Sequence, residues 1–210
     1  MFDNRLCELS GCDDFAAFAR SRCFRHLPDT EDYRNEIYQS LQAGGNYSGL
    51  NVSQMPFHDL DIPKSEFRCC RFSRSAFHQM IFRDCEFINC TFDFAVHEEV
   101  QFLDCSFVQC VLSGARLQNF QVRRCELVEN NFNGCHLSDA IFDDCDLSRS
   151  RFIGAHFFDT ELRNCNVREA YFIDIVQNRL SFRMSNPEDA FMARPSANSG
   201  GELGYAPIHT

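Results

Sequence analysis

The sequence predicts an all-β solenoid, a β-helix with four sides to each coil, and three observations lead to that fold class. First, of the 26 positions reached from Tyr47 to Phe172 in steps of five, 25 carry a large apolar side chain and one carries a histidine, His97. Second, a small residue stands two positions before most of these centres, as Cys85 stands before Phe87. Third, cysteine and glycine also recur at a spacing of 20 residues.

A period of five fits an extended chain that turns corners. Five residues rotate an α-helix by a net angle of about 140°, so the repeated apolar residues would scatter around its surface. In an extended chain, residues two apart point to the same side, so the small residue and the centre face inward together. The other residues must turn a corner, and four corners close a coil of 20 residues, which explains the cysteines from Cys85 to Cys165 and the glycines from Gly114 to Gly154. The 26 repeats, at four to a coil, predict about 6–7 coils, which would stack ~4.8 Å apart.

The five-residue unit resembles the repeat of the pentapeptide-repeat family, which has Leu or Phe at its centre and a small residue two positions earlier. In this chain the pattern is seen in CEFIN, CSFVQ, ARLQN, CHLSD, AIFDD and CDLSR, and it keeps its phase over residues 47–174. The resemblance implies that the β-helix is right-handed and quadrilateral.

Residues 1–46 lie outside the repeat and are predicted to form a helical N-terminal cap. Apolar residues at helical spacing predict one helix over residues 13–24 and a second over residues 30–45, with Thr30 as the N-cap of the second. The ends of a solenoid expose its core, so these helices are expected to cover the first coil. A partner-docking arm is the alternative.

The chain is expected to divide into that cap, a β-helix over residues 47–184, and a C-terminal region over residues 185–210. In the last region, a short helix is predicted at residues 189–193. Residues 194–210 are rich in Pro, Gly and Ser, and this composition predicts a disordered tail.

The repeat assigns most of the cysteines to the core. Nine of the 13 occupy the small inward position, where free cysteine acts as a compact apolar residue. Their C-x4-C spacing differs from the C-x2-C of metal sites, and successive cysteines lie on different sides of the coil. No metal or other cofactor is therefore expected. The predicted core residues are Phe67, Phe72, Phe82, Phe87, Phe92, Phe102, Phe107, Cys85, Cys105, Cys125, Cys145 and Cys165.

Histidine residues raise the question of chemistry. His97 occupies a centre, and a locally distorted coil with the imidazole partly outside or hydrogen-bonded is expected, because buried polar groups find partners. A functional bulge is the alternative. His136 and His156 stack in one outward column, but no Cys or carboxylate joins them, so two solvated histidines are expected. The filled interior leaves no substrate pocket, and the chain is predicted not to be an enzyme.

Charge points to a protein partner instead. The net charge of −10 disfavours direct nucleic-acid binding. Acidic residues on one side of the rod predict a partner-binding face, interrupted by Arg124 and flanked by the apolar residues Ile88, Val108 and Val128. Ordinary solvating charge is the alternative for this face. The residues of the predicted acidic face are Glu66, Asp84, Glu86, Asp104, Glu126, Asp144 and Asp146.

The family resemblance supplies a specific hypothesis. Its Qnr-type members, which act in quinolone resistance, resemble B-DNA in size and charge and bind type II topoisomerases where DNA would sit. The resemblance implies a DNA mimic that regulates DNA gyrase or topoisomerase IV, with the Qnr-type dimer as one possible oligomeric state. The alternative is a structural scaffold or protein-interaction module, like some bacterial effectors, with no topoisomerase role. No membrane span or signal peptide is visible, so a cytoplasmic protein is expected.

Overall fold

The computed structural model describes residue 2 and residues 4–193. It contains one α-helix, α1 (Thr30–Ala43), and two short 3-10 helices, Phe24–His26 and Pro187–Asp189. The strands are β1 Asn46–Ser48, β2 Pro56–His58, β3 Asp61–Ile62, β4 Glu66–Arg68, β5 Ala76–His78, β6 Ile81–Arg83, β7 Glu86–Ile88, β8 Val96–Glu98, β9 Gln101–Leu103, β10 Ser106–Val108, β11 Arg116–Gln118, β12 Gln121–Arg123, β13 His136–Ser138, β14 Ile141–Asp143, β15 His156–Arg163, β16 Tyr171–Ile173, β17 Val176–Ser181 and β18 Phe191–Ala193.

These strands build a parallel β-solenoid of about seven turns, which confirms the predicted fold class. The first wall holds β1, β4, β7 and β10, and parallel bridges continue it to Asn166. The second wall is a column of bridges from Asn51 to Tyr171, followed by the β16–β18 pair. The third wall holds β2, β5, β8, β11 and β13. The fourth holds β3, β6, β9, β12 and β14, and the long strand β15 joins the third and fourth walls in one sheet.

The corners explain why most strands are only three residues long. Nearly every corner is turned by a residue with positive φ, such as Asp84 at 53° and Asp104 at 56°. Gly114, Gly134 and Gly154 occupy equivalent corners at 66–67°. Asp and Asn visit this left-handed region more readily than most other residues with a Cβ, because their short polar side chains bond locally. Corner chemistry therefore gives an acidic corner a structural reason as well as a functional one.

The interior consists of stacked rings and small side chains. Phe67, Phe87 and Phe107 lie above one another with centroids 4.9 and 4.7 Å apart, close to the strand spacing. Phe132, Phe152 and Phe172 form another such ladder. Buried aromatic pairs of this kind contribute about 0.5–1.5 kcal/mol beyond their burial. All twelve residues predicted for the core are buried.

The inward cysteines make a contact that the sequence reasoning did not foresee. Each of the nine donates its S–H towards the carbonyl oxygen 23 residues earlier, as Cys105 does to Phe82 at 3.5 Å and Cys135 to Leu112 at 2.9 Å. Asn130 makes the same kind of bond to the carbonyl of Phe107 at 2.9 Å. Burial raises the pKa of Cys135 to about 12, so this thiol stays neutral and able to donate. Cysteine thus combines small volume with a weak donor.

The N-terminal region differs from the prediction in part. The second predicted helix is present as α1, although Asp29 holds the N-cap position and Thr30 is the first helical residue. The helix predicted over residues 13–24 is wrong. Its backbone groups pair elsewhere, with Ala16 N–H donating to the carbonyl of Arg5 and Phe18 N–H donating to that of Asn51. Tertiary pairing with the first coil overrides the local helical pattern there.

The C-terminal region differs as well. The helix predicted at residues 189–193 is wrong, because Phe191–Ala193 forms strand β18 and pairs in parallel with β16. An open strand edge at the last coil supplies backbone partners that a helix would not use. The predicted tail, residues 194–210, lies outside the described residues.

His97 lies in a regular coil, so the expected distortion is wrong. Strand β8, which contains His97, pairs in register with β5 and β11. The side chain is 0% exposed, and neither ring nitrogen has a hydrogen-bond partner among the described residues. The imidazole stacks on Phe77 with centroids 4.7 Å apart. The ring ladder accepts an imidazole because its shape and size fit, at the cost of two unpaired polar atoms.

Candidate functional site

The first wall carries the acidic residues that the sequence singled out. Glu66, Glu86 and Ser106 are register partners in β4, β7 and β10. Bridges continue the same column through Glu126 and Asp146. Their side chains therefore repeat along the rod at about one strand spacing, ~4.8 Å per coil.

Three further carboxylates lie at the corner that leads into the first wall. They are Asp84, Asp104 and Asp144, and together with Arg124 they form a column with a spacing of 20 residues in which all four side chains are exposed. Asp84 N–H donates to a carbonyl of the next coil at 3.0 Å, so the backbone of this corner is fixed. The structure thus brings all seven predicted residues to one edge of the rod.

Two of the seven carboxylates are neutralised by arginines. Arg68 bonds Glu66 on the same strand, and Arg124 bonds Asp104 through two contacts of 2.6 and 2.7 Å. Hydrogen bonds from these arginines hold the pKa values of both carboxyl groups below their usual range. The sequence reasoning recognised Arg124 but missed Arg68. A spacing of two residues on an extended chain, which puts both side chains outside, would have revealed it.

The other five carboxylates form no ion pair within the described residues, and we call them the acidic stripe. Asp146 accepts hydrogen bonds from Ser148 N–H at 2.9 Å and from Asn166 Nδ2 at 3.2 Å, which orient it without neutralising it. The acidic stripe consists of Asp84, Glu86, Glu126, Asp144 and Asp146.

The acidic stripe is bordered by apolar residues on one side and by an arginine that is already paired on the other. On the first wall it is bordered by Ile88, Val108 and Val128, and Val108 is 42% exposed. On the fourth wall, Arg83 pairs with Asp61 at 3.1 Å, so part of the neighbouring positive charge is already compensated. A partner that matches this surface would present basic groups beside an apolar strip.

The two stacked histidines lie on the third wall. His136 and His156 have ring centroids 4.4 Å apart. Partial burial, followed by the charges of His156 and Arg116, lowers the pKa of His136. No third Cys, His or carboxylate donor joins them among the described residues.

A second group of side chains was missed by the sequence reasoning. Cys7, Cys12, Cys23 and His26 lie together in the N-terminal segment, which we define as residues 4–27, with one potential ligand atom of each within 4.8 Å of the others. The signal was present in the sequence as C-x4-C-x10-C-x2-H, formed by three of the four cysteines outside the inward positions.

No helix among the described residues is both long and apolar enough to cross a lipid bilayer.

Comparisons with known proteins agree on the architecture. Residues 115–192 match the family model for a pentapeptide repeat region. No curated protein sequence matches this chain. A trypsin-treated variant of QnrB1, a plasmid-mediated fluoroquinolone resistance protein, is similar with a TM-score of 0.51 and 18% identity, over 72% of this chain and 80% of that chain.

Two other solved structures show weaker similarity. Full-length QnrB1 has 17% identity and a TM-score of 0.43, over 71% of this chain and 80% of that chain. HetL, a pentapeptide repeat protein involved in heterocyst differentiation regulation in the cyanobacterium Nostoc, has 11% identity and a TM-score of 0.25, over 78% of this chain and 98% of that chain. At 18% identity, the similarity to the trypsin-treated QnrB1 variant shows the fold alone.

Proposed function

We propose that this chain, which belongs to the pentapeptide-repeat proteins, is a non-catalytic binding rod whose acidic stripe docks on the basic, DNA-binding surface of a type II topoisomerase. DNA gyrase and topoisomerase IV are the two enzymes of this class that we consider. A cytoplasmic location goes with either partner. The observation that carries the proposal is the set of five unpaired carboxylates in two adjacent columns along one edge of the rod, with Glu86, Glu126 and Asp146 in the wall column and Asp84 and Asp144 at the corner.

Charge spacing supports this choice of partner. Adjacent carboxylates of one column, such as Glu126 and Asp146, lie about one coil or ~4.8 Å apart, which approaches the spacing of phosphates along a DNA strand, one per ~3.4 Å. Ser106 interrupts this column once, between Glu86 and Glu126. A surface built to hold DNA carries lysines and arginines at matching intervals, and these can pair with the stripe. Binding of this kind should weaken as salt rises, because exposed charges are screened within about 10 Å at 0.1 M salt.

The interior supports a binding role rather than a catalytic one. The inward positions are filled by packed rings and small side chains, and the inward thiols donate to backbone carbonyls. Burial keeps the thiol of Cys135 neutral by raising its pKa to about 12, and a neutral thiol is a poor nucleophile. The proposal therefore assigns no chemical step to this protein.

A gyrase supercoiling assay, with and without a quinolone, tests the proposal. Wild-type protein is expected to change supercoiling or its inhibition by the drug, and Glu86→Lys/Glu126→Lys is expected to lose the effect by at least about tenfold, as loss of charge complementarity predicts. The matched control is Glu99→Lys/Asp139→Lys, which makes the same charge change at the corner between the third and fourth walls.

The control should behave as wild type. If wild type leaves gyrase and topoisomerase IV unaffected at micromolar concentration, or if both double variants lose activity equally, the stripe is not a topoisomerase-binding surface.

A second candidate function is a protein-interaction module that binds through the N-terminal segment. The observation in its favour is apolar exposure, since Leu6 is 56%, Leu9 is 42% and Phe15 is 39% exposed. In a pull-down with immobilised protein, this alternative predicts a partner that still binds the Glu86→Lys/Glu126→Lys variant. The same partner should not bind the Leu6→Asp/Leu9→Asp variant. Retention of every partner by the aspartate variant would exclude it.

A further inference from the structure

We propose that Cys7, Cys12, Cys23 and His26 form a structural zinc site that fastens the N-terminal segment to the first coils of the β-helix. The proposal is independent of the partner of the acidic stripe. It starts from the single group of three or more potential metal-ligand side chains found among the described residues, whose ligand atoms all lie within 4.8 Å of one another.

The distances between the ligand atoms suit a tetrahedral zinc ion. Cys12 Sγ lies 3.9 Å from Cys23 Sγ, and Nδ1 of His26 lies 3.2 Å from Cys23 Sγ and 3.6 Å from Cys7 Sγ. With Zn–S near 2.3 Å and Zn–N near 2.0–2.1 Å, a regular tetrahedron separates two sulfurs by about 3.8 Å and a sulfur from a nitrogen by about 3.6 Å. The three distances lie within about 0.4 Å of these tetrahedral values, and all four ligand atoms lie within 4.8 Å of one another.

Local backbone structure brings the ligands together in two pairs. Cys7 N–H donates to the carbonyl of Asp14 at 2.8 Å, and Cys12 N–H donates to that of Leu9 at 3.1 Å, so Cys7 and Cys12 lie in one tight reversal of the chain. Gly11 turns it with a φ of 80°. The second pair comes from a turn in which His26 N–H donates to the carbonyl of Cys23 at 2.9 Å.

These cysteines differ from the nine inward ones in their setting. The inward thiols donate to carbonyls of the preceding coil, as Cys105 does to Phe82. The N-terminal cysteines lie in a segment whose regular structure is limited to one isolated bridge, Leu6–Phe15, and the 3-10 helix Phe24–His26. A segment this short buries too little apolar surface to order itself, and small structures of this kind commonly rely on a metal or on disulfides.

The ligand set favours zinc over a disulfide. Three thiols and an imidazole make the Cys3His set of closed structural zinc sites, which leave no position open for a substrate. A disulfide between Cys12 and Cys23 would require the two sulfurs, now 3.9 Å apart, to approach to about 2.05 Å, and it would leave Cys7 unpaired.

The neighbours of the site show what it would hold in place. Asp14 accepts a hydrogen bond from Cys12 Sγ at 3.7 Å and forms an ion pair with Arg25 at 2.5 Å. It also accepts a hydrogen bond from Gln54 Nε2 at 3.0 Å, which links the N-terminal segment to the first coil. Asn51 Nδ2 donates to the carbonyl of Ala16 at 2.6 Å. The metal would thus close the loops that lie over the start of the second wall.

Zinc content of the purified full-length protein gives the first test. We expect about one zinc ion per chain by elemental mass spectrometry, and a loss of at least about tenfold in Cys12→Ser and in His26→Gln. Both residues are half-buried, so the substitutions leave the β-helix core intact. The matched control is Cys69→Ser, a half-buried cysteine outside the cluster, which should keep the wild-type zinc content.

Two further measurements test the site without relying on the variants. Cobalt(II) added to metal-free protein should give the visible absorption of a tetrahedral thiolate complex, and zinc should displace it. Arg22 lies on the surface, and chelation of the metal should loosen the segment around it and so increase the rate at which trypsin cleaves there. The circular dichroism of the β-helix should be retained, and added zinc should restore the slow cleavage.

Several results would overturn the proposal. They are a zinc content below about a tenth of an ion per chain after incubation with zinc, wild-type zinc in Cys12→Ser and His26→Gln, or a Cys12–Cys23 disulfide in the metal-free native protein.

Discussion

The buried imidazole of His97 allows the energetics of this core to be tested by one substitution, His97→Phe. The ring is 0% exposed, stacks on Phe77 at 4.7 Å and is surrounded by other aromatic side chains, so no charged group faces it among its ring contacts. Neither ring nitrogen has a partner within the described structure. Phenylalanine fills the same column and removes both unpaired atoms, so we expect it to stabilise the fold by about 1–3 kcal/mol at pH 7.

The pH dependence of stability gives a second effect, of similar size. Burial lowers the pKa of His97 from 6.5 to about 3. Below pH 6.5 the unfolded chain binds a proton that the folded chain refuses, so stability is full above pH 6.5 and is lost as the pH falls towards 3. One pH unit corresponds to about 1.4 kcal/mol, so the wild type should lose about 2 kcal/mol from this residue between pH 7 and pH 5.

Thermal unfolding followed by circular dichroism at pH 7 and pH 5 measures this difference. Titrations of other groups occur in both proteins and cancel, so the variant's advantage in midpoint should grow by roughly 4–8 °C on going to pH 5. The control is Leu137→Phe, which introduces a phenylalanine in the same inward column and keeps His97. It should retain the wild-type pH dependence.

Equal losses for wild type and His97→Phe between pH 7 and pH 5 would refute the reasoning. That result would mean that His97 binds a proton in the folded protein near pH 6, and therefore that the ring reaches a partner or solvent.

Three other substitutions probe the corners, the inward ladder and the stripe. A Cβ at Gly114 would lie 2.6 Å from the Phe94 ring, whereas one at Gly154 meets nothing within 4 Å, so Gly114→Ala should cost about 1 kcal/mol more than Gly154→Ala in urea unfolding, and equal costs in a Phe94→Ala background would verify the clash. Asn130→Ala removes the acceptor of a buried backbone N–H at 2.7 Å and should cost about 2–3 kcal/mol, more than Asn130→Cys, and a cost as small as that of a surface substitution would contradict this. If the stripe binds gyrase, Arg124→Gln should strengthen binding severalfold at low salt by freeing a carboxylate, and unchanged or weaker binding would count against it.

The repeat was predictable because every coil satisfies the same local rule. An extended pair of inward residues followed by a corner depends on neighbours five residues away and on a partner 20 residues away, and both spacings are visible in the sequence. Cys105 and Phe107 could therefore be placed in the core from the repeat alone, before the structure was known.

The candidate sites were predictable only in part. The column of Glu86, Glu126 and Asp146 follows from the period, since register partners must lie above one another. Which carboxylates keep their charge exposed depends on side-chain reach, and the pairing of Glu66 with Arg68 was visible only in the structure. The N-terminal cluster is also a tertiary feature, because its ligands come from two separate turns.

The sequence alone determined the period, the number of sides, the inward residues and the acidic edge, because each is a property of an identical unit repeated along the chain. Tertiary structure decided the ends and the exceptions. Helical patterns occur in residues 13–24 and 189–193, but the backbone groups there form hydrogen bonds with neighbouring segments of the chain. An open strand edge or an adjacent loop offers hydrogen-bond partners that are already fixed in place, whereas a short helix must first meet the cost of nucleation. His97 stays inside because its coil is held on both sides by regular strands, and that support outweighs two unpaired nitrogens.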